Sequence, residues 1–328
     1  MPLYLEFLNF PICECKQHPH TCPFHERMIE HNLLFEKEFT NIKEKLNKAQ
    51  LRSLENHMLA TFIVYTEERE DIGWKRQGKA LEIIENSPHL LSPVSDTKTT
   101  ETWNLCNACN YLTMEAKDQS VLGLLEASHF IPKLHEHLMK GLLPNPGKLS
   151  TNIRFTTLNG QRMLYPTFSN TFVTEATLLA LVDKLNALTN EVKALPEGVI
   201  RTSFVFKLAS LLLCSFLALH VFSDGNGRTG RLLASYVLLL VSPFMIPCVL
   251  PRDKFLDRLV TYRSKIKLGE NVHSKEEGQA AAVEALHQKP AGLCAALLES
   301  NYSRWQECSA YLSRQGIKLQ APRPLWLC

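Results

Sequence analysis

Apolar residues recur every three to four positions along most of this 328-residue chain, and the breaks in that rhythm divide it. Residues 26–46, 49–66 and 79–85 interleave charged and apolar side chains at helical spacing. A stretch rich in Ser, Pro and Thr, 87–100, reads as a loop. Helical spacing returns over 105–117 and 120–143, where Pro132 marks the first turn of a new helix running to Lys140. Pro144-Asn145-Pro146-Gly147 stops that helix.

The period then falls to two over 153–157 and again over 162–165, around Leu158-Asn159-Gly160-Gln161. Asn-Gly between short alternating runs predicts a β-hairpin, the one β element read from the pattern. Helices resume over 175–194, 201–221 and 227–240, then over 254–265, 275–287 and 292–312. The fold class is therefore mainly α with one small hairpin. The runs 204–222 and 232–250 approach membrane-span length, but Lys207 interrupts the first and Pro243 and Pro247 the second. A pair of buried core helices is the better reading, with no membrane span.

Composition adds limits. Hydrophobic residues make up 45% and charged residues 21%, the balance of a globular protein with a sizeable core. A net charge of +3 gives no reason to expect nucleic acid as a partner. The first ten residues lack a basic region and Glu6 breaks their apolar run, so a signal peptide is not expected and a cytoplasmic location is the default. Reduced thiols are then the default for the ten cysteines. Six candidate metal ligands, Cys13, Cys15, His18, His20, Cys22 and His25, nevertheless fall within thirteen residues. Four of them, best Cys13, Cys15, Cys22 and His25, could hold a structural Zn²⁺. Cys106 and Cys109 are a further pair that reads either as ligands or as core thiols.

The densest chemistry lies between the two most apolar helices, from His220 to Arg231. Gly225 and Gly227 permit positive φ and close backbone approach, and the loop feeds a helix N-terminus whose amides and dipole favour anions. Arg228 and Arg231, three apart on that helix, can face the same phosphates. Asp224 offers a hard oxygen to Mg²⁺. His220 is the proton acceptor with an ordinary pKa near neutrality.

His220-Val-Phe-Ser-Asp224-Gly-Asn226-Gly-Arg228-Thr-Gly-Arg231 resembles the motif of the Fic family, His-Pro-Phe-x-Asp/Glu-Gly-Asn-Gly-Arg-x-x-Arg. Eight of the nine defined positions match, and Val221 stands where proline is usual. The related Doc toxins carry lysine in place of the second loop glycine and act as kinases, so Gly227 argues against that branch. The resemblance extends over roughly 120–265, with a helix before Pro146-Gly147 and a hairpin flap after it. The arginine that commonly follows Pro-Gly closely comes later here, as Arg154. The resemblance implies a Fic-type helical bundle with a β-hairpin flap over 106–270, an N-terminal helical region over 1–105 and C-terminal helices over 271–328. It implies AMP transfer from Mg²⁺-ATP to a Ser, Thr or Tyr hydroxyl of a target protein, with a homodimer left open. His220 would take the hydroxyl proton and Asp224 would hold Mg²⁺. Gly225, Asn226 and Gly227 would bind the transferring phosphate, and Arg228 and Arg231 the leaving pyrophosphate. Phe222 would pack inward.

Many Fic proteins are restrained by a Ser/Thr-x-x-x-Glu helix whose glutamate pairs with the second motif arginine. Thr66 and Glu70 match this pattern, with Asp71 in the place of the small residue that follows, while Ser303 and Glu307 form a second candidate. Removal of AMP, UMP transfer, a non-catalytic nucleotide- or partner-binding scaffold and a zinc-stabilised adaptor are the alternatives.

Overall fold

The computed structural model describes residues 5–14, 22–86, 96–117, 123–158, 161–264, 266 and 271–319. A short 3-10 turn, Leu5–Leu8, leads into four helices: α1 (Pro23–Lys43), α2 (Lys48–Glu70), α3 (Gln77–Asn86) and α4 (Thr97–Lys117). Next come α5 (Phe130–Met139), the hairpin strands β1 (Phe155–Leu158) and β2 (Gln161–Leu164), and β3 (Thr167–Phe168). Then follow α6 (Thr171–Lys193), α7 (Val199–Leu219), α8 (Asn226–Leu238), α9 (Arg252–Ser264), β4 (Asn271–Val272), α10 (Lys275–Leu286) and α11 (Ala291–Arg314).

Local chemistry sets the ends of these helices. Asn47 and Gln50 form a reciprocal capping box at the start of α2, with bonds of 2.9 and 3.1 Å. At the starts of α6 and α10 the Asn170 and Ser274 side chains accept the amides of Val173 and Glu277. Two expectations shift. Helix α4 begins at Thr97, inside the segment read as a loop, because Asp96 accepts the Thr99 amide at 3.0 Å. Residues 87–95 of that segment lie outside the described residues. The helix expected from residue 120 starts only at Phe130. Gly123 takes φ +81°, and the Asn186 side chain bonds both the amide and the carbonyl of Leu125, which holds the segment out of a helix.

Helix α7, apolar and buried from Leu208 onward, is the central element, and α1, α6, α8, α10 and α11 all pack against it. It is the one helix among the described residues long and apolar enough to cross a membrane, yet most of it is buried in the bundle. The main core draws side chains from Leu5 through Leu298. A smaller core lies between α1, α2 and α11, where Phe35 stacks on Trp305 at 5.4 Å. The hairpin pairs β1 with β2 in antiparallel register, Phe155 opposite Leu164 and Leu158 opposite Gln161. The Asn159-Gly160 turn lies outside the described residues. Strands β3 and β4 form a separate parallel pair.

Candidate active site

The turn between α7 and α8 is held from three sides. His220 ends α7 in the left-handed region at φ +52°, a conformation unusual for a residue with a Cβ and concentrated at functional sites. Asn226, at the start of α8, closes the turn: its Oδ1 accepts the Phe222 amide at 3.0 Å and its Nδ2 donates to the Phe222 carbonyl at 2.8 Å. Phe222 packs inward, fully buried, and stacks on the His135 ring at 3.8 Å. From the flap side, Ser150 donates its amide to the Val221 carbonyl at 2.9 Å.

His135, on α5, is a positioning residue that the sequence pattern does not single out. Its Nδ1 accepts the Gly147 amide at 2.8 Å, so its Nε2 carries the proton and donates to the Asp224 carbonyl at 2.9 Å. Burial holds it neutral, with its pKa pushed down to about 4. Gly147 takes φ +83°, and a Cβ there would lie 2.9 Å from the Pro132 carbonyl. That close approach is the physical reason for glycine after Pro146.

The nest itself suits anions. Gly225 is the left-handed N-cap of α8, and a Cβ on it would lie 2.7 Å from Met139 Sδ. Arg228 and Arg231 are both buried, and Arg228 Nε has no hydrogen-bond partner among the described residues. Burial lowers the pKa of both, that of Arg231 to about 10. The Arg231 guanidinium lies 4.3 Å over the Phe255 ring of α9. Asp224 is largely exposed, accepts the Gly225 amide at 2.6 Å and stands 3.9 Å from Arg228. A carboxylate oxygen open to solvent beside the nest is the donor Mg²⁺ takes.

At the rim, the His220 ring stacks on Tyr165 at 3.6 Å, and Arg263 covers the other side of Tyr165 at 4.3 Å. Arg154 is buried nearby, donating to the Ser150 carbonyl at 2.9 Å and to the Pro166 carbonyl. Burial, together with the charges of Arg154 and Arg263, pushes the His220 pKa down to about 3. The imidazole is thus neutral, and its Nδ1 is buried without a hydrogen-bond partner among the described residues.

Glu70 reaches this nest from the last turn of α2. Its carboxylate forms an ion pair with Arg231 and lies against Gly227, where a Cβ would stand 2.6 Å from one of its oxygens. Asp71 follows at φ +58°, in the left-handed region that glycine and asparagine enter most readily. Thr66 is buried and donates to the Phe62 carbonyl of its own helix at 2.9 Å. Glu307 is engaged elsewhere, by Arg304 at 2.6 Å and the Tyr65 hydroxyl at 3.2 Å. The structure thus brings Glu70, and not Glu307, to Arg231.

Away from the loop, Cys13, Cys22 and His25 converge, while Cys15, His18 and His20 lie outside the described residues. Cys106 and Cys109 pack in the main core, so they read as core thiols.

A helical bundle with this nest and flap has the architecture of the Fic fold. A family profile described as Fic/DOC matches residues 125–238. A Fido domain-containing protein of Dictyostelium discoideum is 34% identical over 122 residues, covering 37% of this chain and 74% of its own. The chain therefore belongs to the Fic/DOC family. The ribonucleoside-diphosphate reductase small chain of Ostreid herpesvirus 1 is 27% identical over 160 residues, which cover 48% of this chain and 26% of the viral protein. Among solved structures, a Fic domain-containing signalling protein of Bacteroides thetaiotaomicron matches with a TM-score of 0.61 at 19% identity, over 88% of this chain and 100% of that one. Fic-1 of C. elegans, residues 134–508, matches at 0.58 and 17% identity, over 89% and 73%. At these identities the structures establish the fold.

Proposed function

We propose that this chain transfers AMP from Mg²⁺-ATP to a hydroxyl of a target protein, and that Glu70 restrains the reaction. The observation that carries the reading is the Glu70 carboxylate seated between Gly227 and Arg231, an anion already in the nest the loop builds. The buried, partner-poor guanidinium of Arg228 and the open carboxylate of Asp224 fit a polyphosphate with its metal. Bound at Asp224, Mg²⁺ neutralises charge on the phosphate oxygens.

With Glu70 swung out, Arg231 is released to hold the terminal phosphates. The first amides of α8 and Arg228 stabilise charge on the phosphoryl oxygens. His220, neutral and with Nδ1 unspent, takes the hydroxyl proton, and the arriving phosphate charge raises its basicity from the apo value. Exposed Phe155 and Leu164 on the two-stranded flap, with exposed Ile153 just before it, suit an extended target segment added as a strand.

Incubation with α-³²P-ATP, Mg²⁺ and candidate targets tests the reading. The Glu70→Gly variant is expected to label protein, itself included, at least tenfold above the parent, and His220→Ala on that background is expected to lose the label. No label from Glu70→Gly sinks the proposal. The same carboxylate beside the nest also suits a water held for AMP removal. Release of AMP from a premodified protein by the parent chain, lost in Glu70→Gly, is the outcome that favours this second reading.

A further inference from the structure

The N-terminal segment carries a second cluster that the transfer reaction does not use. Cys13 precedes a gap in the described residues, Cys22 is the residue that opens α1, and His25 sits in that helix's first turn. The Sγ atoms of Cys13 and Cys22 and a ring nitrogen of His25 lie within 4.8 Å of one another, and all three residues are buried. Cys22 Sγ stands 2.8 Å from His25 Nδ1, and His25 Nε2 stands 3.2 Å from Glu299 Oε1 on α11.

We propose that Cys13, Cys22 and His25 bind a structural zinc ion, with Glu299 orienting His25 from behind. Zn–S bonds of about 2.3 Å and Zn–N bonds of about 2.0 Å at tetrahedral angles set donors roughly 3.5–3.8 Å apart, which small rotamer adjustments of this trio provide. The spacing Cys22-Pro-Phe-His25 puts both donors on one face of the first turn. The start of α1 favours a thiolate there through the free amides and the helix dipole. Glu299 on the far ring nitrogen is the carboxylate–histidine–metal relay, which fixes the tautomer so that Nδ1 presents its lone pair. Binding deprotonates both thiols, and two thiolates with one neutral imidazole around Zn²⁺ sum to no net charge, as a buried site requires. The remaining coordination position takes water or a further donor. A Cys–His–Glu nucleophile is the competing use of these groups, but Cys13 3%, Cys22 6% and His25 6% exposed leave a substrate no access.

The site would also brace the enzyme. Glu14, next to Cys13, pairs with Arg258 of α9 at 3.2 Å. Helix α9 carries Phe255 beneath Arg231 and Arg263 over Tyr165. The zinc thus joins α1 and α11 to the helix that backs the nest.

The full chain, purified reduced and equilibrated with micromolar Zn²⁺, is expected to carry one zinc per chain by elemental analysis. X-ray absorption is expected to show two sulfur ligands. Glu299→Gln is expected to keep the helical circular-dichroism spectrum and to lose zinc to a competing chelator at 10–100-fold lower chelator concentration. Cys22→Ser is expected to lose the metal. Zinc below one tenth per chain in the parent overturns the proposal. So does full occupancy in Cys22→Ser, unaltered zinc affinity in Glu299→Gln, or a Cys13–Cys22 disulfide in protein kept under reductant. These readouts are independent of labelling by α-³²P-ATP, so failure of one reading leaves the other standing.

Discussion

Asn226 has its side chain fully buried and both of its polar groups on the Phe222 backbone. Its contribution to the loop is therefore closure from within. Removing it leaves a buried amide and carbonyl unpaired, each worth about 1–3 kcal/mol. Asn226→Ala is expected to lower the urea midpoint, with a loss of stability of about 2 kcal/mol, and to abolish labelling. A variant that weakens ATP binding alone, with the midpoint unchanged, contradicts the closing role. His220, Asp224, Arg228 and Arg231 were legible from spacing because each has a side chain that chemistry demands. His135, Tyr165, Arg154 and Arg263 were not, since each reaches the loop from a distant element and no local spacing records that meeting.

At the scale of elements, the end of α2 is fixed by a buried carboxyl, and Glu70 depends on that fixing. Glu67 is fully buried, accepts from the Thr102 hydroxyl, and sits where a Cβ on Gly73 would collide with it. Burial raises its pKa to about 8. The folded value lies above the unfolded one, so this contribution to stability is complete below pH about 4.5 and is lost as pH rises through about 8. The slope is at most about 1.4 kcal/mol per pH unit over that window. Urea titrations of Glu67→Gln between pH 5 and 8 are expected to be flatter than those of the parent by up to one proton. An unchanged slope shows that Glu67 is ionised in the fold. Arg69 adds a second anchor, donating to the Val249 carbonyl at 2.8 Å. Thr66 and Glu70 were readable as a pattern, but the pattern fitted Ser303 and Glu307 as well. Only the packing of α2 against α8, and the capture of Glu307 by Arg304, chose between them.

For the whole molecule, two neutral histidines, His135 buried and His220 half-buried at the rim, predict sensitivity to acid. His135 and His220 have pKa values pushed down to about 4 and about 3. Their folded values lie below the unfolded ones, so the unfolded chain binds more protons, and stability falls as pH drops below about 6.5. The loss continues down to those two values. Unfolding free energy measured from pH 7 to 4.5 is expected to fall with a net slope of about one proton, Glu67 offsetting one of the two that these histidines contribute. His220→Ala is expected to remove one of them. A parental slope in that variant shows that His220 titrates freely in the fold.

The sequence by itself determined the helical rhythm, the apolar pair of helices and the loop between them, because periodicity, glycines and charged side chains act over a few residues. It also marked the Cys/His cluster, of whose four chosen members Cys13, Cys22 and His25 converge and Cys15 lies outside the described residues. Tertiary structure decided what those elements meet: which glutamate enters the nest, which ring covers His220, and which histidine braces Asp224. It likewise decided that α4 starts at Thr97 and α5 only at Phe130. Those outcomes depend on contacts between residues tens to hundreds of positions apart, whose partners are selected by burial and packing of the finished bundle.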